Sequence, residues 1–282
     1  QLLRPLCLLT NKKQNIRTGL CSNCGYMGYM DRPSHDWMIN FYNQEWDKAM
    51  IKSVDQIRST TLQKNNRLIS RQQTFSLVNE LVGLDKNKII CEIGCGYGEV
   101  LQAFAQEGFN NLFGIDISQL SADLVNQALG FRTLSGDFES EMVQQELKKV
   151  GPIGLIFSHH VLEHTYDPNK IIKKAANLQK EGDYLILSLP NAQGEHINYS
   201  LLYLVHLHSF TKRALELLLN KYGYEITVDK SPNTTNIIVA ARKTNNPRSY
   251  YQEAVTNNWQ SACQRIKKAL FLDEMIINKG SY

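Results

Sequence analysis

The sequence predicts an α/β fold: a doubly wound, mostly parallel sheet of seven strands whose last strand is antiparallel. From residue 88 onward, β-favouring runs alternate with helix-forming runs, as in folds that cover a parallel sheet with helices on both faces. The first of these strands leads into glycines at every second position, which is the type of turn that opens a nucleotide-sized groove. The last two strands are joined by too few residues for a crossover, so they must be antiparallel.

The individual elements follow from the periodicity of the apolar residues and from the turn residues between them. We predict strands over residues 88–93, 112–116, 131–135, 153–158, 184–189, 224–230 and 235–242, and helices over residues 98–108, 119–129, 139–149, 168–180 and 211–222.

The residues outside this core, which spans 88–243, fall into three regions. Residues 1–50 are predicted to be irregular as far as residue 33, after which Ser34 is suited to cap a helix over 35–47. That helix would carry Trp37, Phe41 and Trp46 on one face. We predict that residues 51–87 form a helical cover of the core and that residues 244–282 form a C-terminal helical tail. Three roles of this tail stay open: packing on the core, dimerisation and a lid.

The composition is that of an ordinary globular protein. Hydrophobic residues make up 43% of the 282 residues and charged residues 21%, and the net charge is only +4. The basic residues are scattered, so we expect no nucleic-acid partner. No apolar run is long enough to span a membrane, and six cysteines are too few for a disulfide scaffold. We therefore expect a cytoplasmic protein with a small-molecule substrate, and a homodimer stays open.

The glycine turn is Gly94-Cys95-Gly96-Tyr97-Gly98, behind the acid Glu92. Glycine suits a backbone that takes unusual dihedral angles and approaches a ligand closely. A dinucleotide fingerprint would need a third glycine at position 99, which is glutamate here, so a nicotinamide oxidoreductase is disfavoured. The spacing resembles the first motif of class I S-adenosylmethionine (SAM) methyltransferases. That resemblance implies a Rossmann-like sheet and implies that Glu92 orients the loop and the methionine ammonium through water.

Two further acids follow the next two strands. Asp116, with Ile117 beside it, ends a buried strand, and an acid at that point can accept hydrogen bonds from both ribose hydroxyls. After the third strand, Asp137 can accept from the exocyclic amine of adenine while Phe138 covers the ring face. Asp137 could equally cap the following helix. We place Ser158, at the end of the fourth strand, in the same cofactor site.

The segment after the fourth strand reads His160-Val161-Leu162-Glu163-His164. These letters match a zinc-peptidase pattern, but that pattern needs a long helix and the segment lies at a strand end, so we reject peptidase chemistry. The segment resembles the corresponding motif of quinone-biosynthesis-like and type 11/23 methyltransferases, in which His160 stands where relatives often carry Glu. Some of those relatives bind a divalent ion, so His160, Glu163 and His164 are a candidate metal trio. A hydrogen-bonded loop closing the SAM site is the alternative.

The long connection over residues 190–210 precedes the last helix and lies at the ligand edge of the sheet. Its segment Tyr203-Leu204-Val205-His206 resembles a Tyr-His-Glu-His motif of sugar C-methyltransferases. The outer Tyr and His of that motif are present here, and the inner His and Glu are absent. Histidine titrates in the range useful for removing an acceptor proton, so His206 is the base candidate. We name His206, Tyr203 and His160 as catalytic candidates, and a purely structural role for these histidines stays open.

Cys21 and Cys24 form a C-x-x-C pair followed by Gly25, which is half of a zinc ribbon. Cys7 and His35 are candidates for the other two ligands, without knuckle spacing, and a pair of reduced cysteines is the alternative. The stretch resembles the second half of the N-terminal zinc module of some sugar methyltransferases.

Together these resemblances predict a SAM-dependent methyltransferase, with zinc as a possible second ligand. The predicted acceptor is a small molecule, a sugar or another hydroxylated metabolite of cell-surface polysaccharide or secondary metabolism. Two alternatives stay open: a quinone or phenol O-methyltransferase, and a non-catalytic SAM-binding subunit.

Overall fold

The computed structural model describes residues 3–5, 15–21, 23–46, 85–193, 205–231 and 236–246. Residues 51–84 of the helical cover predicted over 51–87 lie outside the described residues, as do Tyr203 and the predicted C-terminal helix.

In chain order, the strands are β1 (Leu3–Pro5), β2 (Asn15–Leu20), β3 (Met27–Tyr29), β4 (Ile89–Ile93), β5 (Leu112–Asp116), β6 (Arg132–Ser135), β7 (Ile153–His159), β8 (Tyr184–Pro190), β9 (His208–Ser209), β10 (Tyr224–Asp229) and β11 (Asn236–Lys243). The α-helices are α1 (His35–Asn40), α2 (Glu99–Gln106), α3 (Gln119–Leu129), α4 (Glu141–Val150), α5 (Pro168–Leu178) and α6 (Lys212–Lys221). A π-helix, Phe41–Trp46, continues α1.

The large sheet has seven strands in the order β10-β11-β8-β7-β4-β5-β6. β11 runs antiparallel to both of its neighbours, whereas β8, β7, β4, β5 and β6 are mutually parallel. The predicted fold class is therefore confirmed. The chain reverses its direction of winding between β4 and β7, and the carboxyl ends of strands at such a switch point open a ligand crevice.

Alternating side chains of the sheet pack into two separate layers of the core. Cys91 and Ile93 of β4 pack on the face covered by α4, α5 and α6, whereas Ile90 packs on the face covered by α2. α2 presents Leu101 and Phe104, which are almost completely buried, to that second layer. Burial of such side chains contributes about 2 kcal/mol each, so the packing on both faces stabilises the sheet.

A small antiparallel sheet in the order β1-β2-β3-β9 occupies the N-terminal region. Our prediction that residues 1–33 are irregular was therefore wrong for these strands. They are short, and β3 pairs with β9 in the register Met27 to Ser209, across most of the chain. No local alternation reveals a pairing of this kind.

The helix predicted over 35–47 is present, but its second half is a π-helix. Ser34 caps α1, since its Oγ accepts a hydrogen bond from Trp37 N at 3.1 Å. The aromatic face is confirmed: the ring centroids of Trp37 and Phe41 lie 5.4 Å apart, and those of Phe41 and Trp46 6.5 Å. Within the described ranges, no helix has both the length and the apolar character needed to cross a membrane.

Candidate active site

A cavity of about 560 Å³ lies at the carboxyl ends of the parallel strands. Most residues predicted to bind the cofactor line it: Gly94, Gly96, Asp116, Ile117, Asp137 and Phe138. The remaining predicted residues do not line the cavity: Cys95 and Gly98 belong to the glycine loop, Glu92 to β4 and Ser158 to β7. Of these, Glu92, Cys95 and Ser158 are buried. Their cofactor roles stay predictions.

The glycine loop after β4 takes a backbone path that side chains would obstruct. Gly94, Gly96 and Gly98 have φ angles of +71°, +50° and +71°. A Cβ on Gly94 would lie 2.2 Å from Val161 Cγ2, whereas a Cβ on Gly96 would meet no atom within 4 Å. Gly94 N and Cys95 N both donate to Ile115 O, at 2.8 and 3.0 Å. The loop is therefore pinned to β5 and leaves open space over Gly96.

Asp116 connects this loop to the next one. Its Oδ2 accepts from Gly96 N at 2.8 Å, and its Oδ1 accepts from Ser118 N at 2.9 Å. Ser118 caps α3, since its Oγ accepts from Ser121 N. Asp116 lines the cavity, where a carboxylate can accept hydrogen bonds from a ligand.

Asp137 lies on the cavity after β6. Its Oδ1 accepts from Glu139 N at 2.8 Å, and its Oδ2 lies 2.8 Å from His35 Nε2. Ser140 is the N-cap of α4, so the alternative in which Asp137 caps that helix is wrong. Phe138 lines the cavity but is only 3% exposed, and most of its ring packs into the core.

The N-terminal helix forms a wall of the cavity that sequence reasoning missed. The side chains that contribute to this wall are His35, Met38 and Ile39 from α1 and Tyr42 and Trp46 from the π-helix. We define residues 35–46 as the N-terminal cover. The aromatic face was visible in the sequence, but nothing local indicated that residues some 50 to 130 positions before the cavity loops pack across them.

His160 and Glu163 form a dyad at the cavity. His160 lines the cavity with φ of +54°, a conformation rare outside glycine, and its N donates to Ser188 O at 2.8 Å. His160 Nδ1 lies 3.1 Å from Glu163 Oε1, and Glu163 is 1% exposed. Burial opposes ionisation of Glu163, but the hydrogen bond with His160 and the nearby His164 hold its pKa below the usual range.

His206, the predicted base, lies behind this dyad and does not line the cavity. Its ring centroid is 4.3 Å from that of His164, with the rings almost perpendicular. Burial lowers the pKa of His206 to about 3. A base this weak is poorly matched to neutral pH, so the geometry favours His160 as the base, and the role of His206 stays a prediction.

The metal trio differs from the predicted one. Ligand atoms of Glu163, His164 and His206 lie within 4.8 Å of one another, so His206 takes the place that we assigned to His160. His164 Nδ1 also lies 2.8 Å from Tyr42 Oη and 3.0 Å from Val205 O. These contacts fit the alternative prediction of a hydrogen-bonded loop at the cavity.

Cys21 and Cys24 lie on the turn between β2 and β3. Gly25 N donates to Cys21 O at 3.0 Å, and Gly25 has φ of +74°, so the chain makes the tight turn of a knuckle. Nearby backbone N–H groups lower the pKa of Cys21, and burial raises that of Cys24. His35 Nε2 lies 2.8 Å from Asp137 Oδ2, and its role as a zinc ligand stays a prediction. Cys7 lies outside the described residues, and zinc at this pair stays a prediction.

Comparisons with known proteins agree with this geometry. A family model described as "Methyltransferase domain" matches residues 65–228, more than half of the chain. The ubiquinone biosynthesis O-methyltransferase of Coxiella burnetii is 28% identical over 106 residues, which cover 38% of this chain and 45% of that protein. The chain thus matches about half the length of this curated relative.

Two solved structures show the same fold at low sequence identity. One is magnesium protoporphyrin IX methyltransferase from Synechocystis PCC 6803 with bound S-adenosylhomocysteine (SAH), with a TM-score of 0.52 and 17% identity, covering 75% of this chain and 100% of the other. The other is the [4+2]-cyclase SpnF, with a TM-score of 0.54 and 15% identity, covering 76% and 98%. From its matched family model and its sheet, the chain belongs to the methyltransferase-domain family, with the fold of class I SAM-dependent methyltransferases.

Proposed function

We propose that this protein transfers the methyl group of SAM to a hydroxyl group of a small acceptor held in the same cavity. The observation that carries the proposal is that one cavity brings together an open glycine loop, two acids and the His160–Glu163 dyad. The first two suit an adenosine-containing cofactor, and the dyad suits removal of a proton from an acceptor.

The cavity has the groups that SAM requires. The space over Gly96 admits a ligand against the backbone, and a side chain at this position would fill that space. Asp116 and Asp137 line the cavity, where a carboxylate can accept hydrogen bonds from the ribose hydroxyls and from the adenine amine. When bound, SAM supplies a methyl group on an electrophilic sulfonium.

His160 is the residue that we assign to proton removal. With Nδ1 held by Glu163, its Nε2 is the nitrogen left to accept the proton of an acceptor hydroxyl. The buried carboxylate of Glu163 fixes the ring orientation and stabilises the imidazolium that forms. The bond from His160 N to Ser188 O keeps the strained backbone in place.

For the acceptor, the curated relative supports the quinone or phenol alternative over the sugar that we first predicted. Tyr42 and Trp46 on the cavity wall offer ring faces to a planar acceptor. We therefore propose a phenolic hydroxyl as the methylated group. The same fold is also found in a [4+2]-cyclase, so the proposal of methyl transfer rests on the residues of the cavity and not on the fold.

The experiment separates cofactor binding from turnover. Wild type, His160→Ala and Asp116→Ala are assayed for SAH affinity by calorimetry and for methyl transfer from labelled SAM to a panel of phenols and sugars. We expect His160→Ala to lower kcat by roughly 100-fold or more at nearly unchanged SAH affinity. Asp116→Ala should weaken SAH binding by about tenfold or more, because it removes a charged acceptor.

The matched control is Asp123→Ala, which removes an exposed acid of α3 whose carboxylate accepts from the Gln119 side chain at 2.9 Å. It should alter neither quantity. Full turnover by His160→Ala would remove the base role, and a wild type that binds SAH but methylates none of the panel would favour the non-catalytic alternative.

A further inference from the structure

We infer that His35 of the N-terminal cover is a positioning residue for the adenine ring of the cofactor, acting through Asp137. The inference rests on the proposed function, because that proposal places the adenine amine at Asp137. It goes beyond that function by assigning part of the cofactor site to residues that precede the matched methyltransferase domain, which begins at residue 65.

The contact between the two side chains determines how the carboxylate lies. His35 Nε2 is 2.8 Å from Asp137 Oδ2, while Glu139 N donates to Oδ1 at 2.8 Å. With both oxygens held, the carboxylate plane has one orientation. Asp137 is largely shielded, with 18% of its side chain exposed, and a preoriented acceptor binds a ligand amine without losing rotamer freedom at that moment.

His35 also contacts an aromatic residue, Tyr166. Its ring lies against Tyr166, with centroids 5.4 Å apart and planes tilted by 53°. Arg32 Nη1 donates to Tyr166 O at 3.0 Å, and its guanidinium carbon lies 6.0 Å from the centroid of the Tyr166 ring. The imidazole is therefore placed by contacts with Asp137 and with Tyr166, although its own side chain is 44% exposed.

The rest of the N-terminal cover is attached to two other loops of the cavity. The hydroxyl of Tyr42 contacts His164 Nδ1 after β7, and Asn43 Oδ1 accepts from Gln119 N, the first residue of α3, at 3.3 Å. With the contact at Asp137 after β6, the cover reaches loops that follow three different strands. Orientation of Asp137 thus depends on the cover being seated.

The test compares two ligands in calorimetry: SAH and its 6-desamino analogue, in which hydrogen replaces the exocyclic amine of adenine. We expect His35→Ala to weaken binding of SAH by about 5- to 20-fold, because the acceptor of the amine loses its orientation. Binding of the analogue should change by less than about twofold, since it has no amine for Asp137 to accept. His35→Gln, which keeps a side-chain N–H donor, should recover most of the SAH affinity.

The matched control is Asp36→Asn, on the exposed neighbouring residue, which should leave both affinities unchanged. Equal weakening of both ligands by His35→Ala would show that His35 only supports the fold, and would overturn the inference. Unchanged binding of SAH would overturn it as well. A wild type that binds no SAH would refute the proposed function and the inference together. If the wild type binds SAH but His35→Ala does not weaken SAH binding more than binding of the analogue, the inference alone is refuted.

Discussion

The large sheet and the N-terminal cover both place groups on the cavity, but they hold them by different means. In the sheet, each group lies on a loop directly after a strand, and its partners are near in sequence, as Asp116 shows with Ser118 and Gly96. In the cover, His35 contacts a residue 102 positions away, and Tyr42 one that is 122 positions away.

This difference separates two kinds of information in the chain. Parallel strands that end at one edge bring their loops together whatever the loops contain, so the sheet topology alone assembles that part of the site. The position of the cover depends on a few polar contacts and on aromatic packing. Those polar contacts can form only when the sheet has folded, because their partners lie on loops of the sheet. We therefore expect changes in the glycine loop to cost more than changes in the cover.

Gly94→Ala should have the largest effect. The new Cβ would lie 2.2 Å from Val161 Cγ2, at a residue with φ of +71°. The steric clash and the strained backbone together should lower the free energy of unfolding by about 3 to 5 kcal/mol, measured by chemical denaturation.

Gly130→Ala is the control for the backbone conformation alone. Gly130 ends α3 with the same φ of +71°, but a Cβ there would meet no atom within 4 Å. This variant should lose only about 1 to 2 kcal/mol. Equal losses for both glycines would mean that backbone strain, and not the contact with Val161, determines the loop.

The same contrast explains what the sequence could predict. Strands over 88–93 and 112–116 were predicted because apolar runs end at glycine or an acid, and β4 and β5 match them within a residue. The acids at the strand ends were found for the same reason. The small sheet and the wall formed by Tyr42 were not, because β9 has two residues and the cover packs on loops far along the chain.

The assignment of the base shows a second limit. His206 was selected for its place in a motif, but burial, which depends on the whole fold, lowers its pKa. His160 was one residue among several histidines in the sequence. Only the positive φ and the 3.1 Å contact with Glu163 distinguish it. Local patterns identify which chemistry is available, whereas tertiary packing decides which residue faces the ligand.

Two buried histidines, His206 and His208, should make the stability of the fold sensitive to pH. β9 carries His208, whose Nδ1 contacts the hydroxyl of Tyr26 and whose Nε2 lies 2.9 Å from Thr165 O. Burial lowers the pKa of His208 to about 4 and that of His206 to about 3. Both are therefore neutral in the folded protein at pH 5, whereas the unfolded chain takes up protons below about pH 6.5.

Because the unfolded state binds more protons, stability must fall as the pH is lowered through this window. Between pH 7 and pH 5 the loss should be roughly 2 kcal/mol for each of the two histidines, measured by denaturation at a series of pH values. His208→Gln should remove the part of this loss that His208 contributes. A stability that is flat between pH 7 and pH 5 would show that folding does not lower the pKa values of these histidines.

The smallest effect should come from Tyr42→Phe, which tests whether the cover opens independently of the sheet. The hydroxyl of Tyr42 contacts His164 Nδ1 at 2.8 Å, and Val205 O lies 3.0 Å from the same nitrogen. Loss of the hydrogen bond between Tyr42 and His164 is worth about 1 kcal/mol, so we expect hydrogen exchange of the α1 amides to speed up about fivefold. The free energy of global unfolding should stay within about 0.5 kcal/mol of wild type, because local opening does not need the sheet to unfold.

Tyr222→Phe provides the comparison for this variant, since it also removes one phenolic hydrogen bond, to Asn169 Oδ1 at 3.2 Å, at an exposed site. It should leave exchange in α1 unchanged. If Tyr42→Phe instead lowers global stability by about 1 kcal/mol and speeds exchange in the sheet equally, the cover unfolds together with the sheet. The sheet and the cover would then differ in how far apart in sequence their contacting residues lie, but they would unfold in the same step.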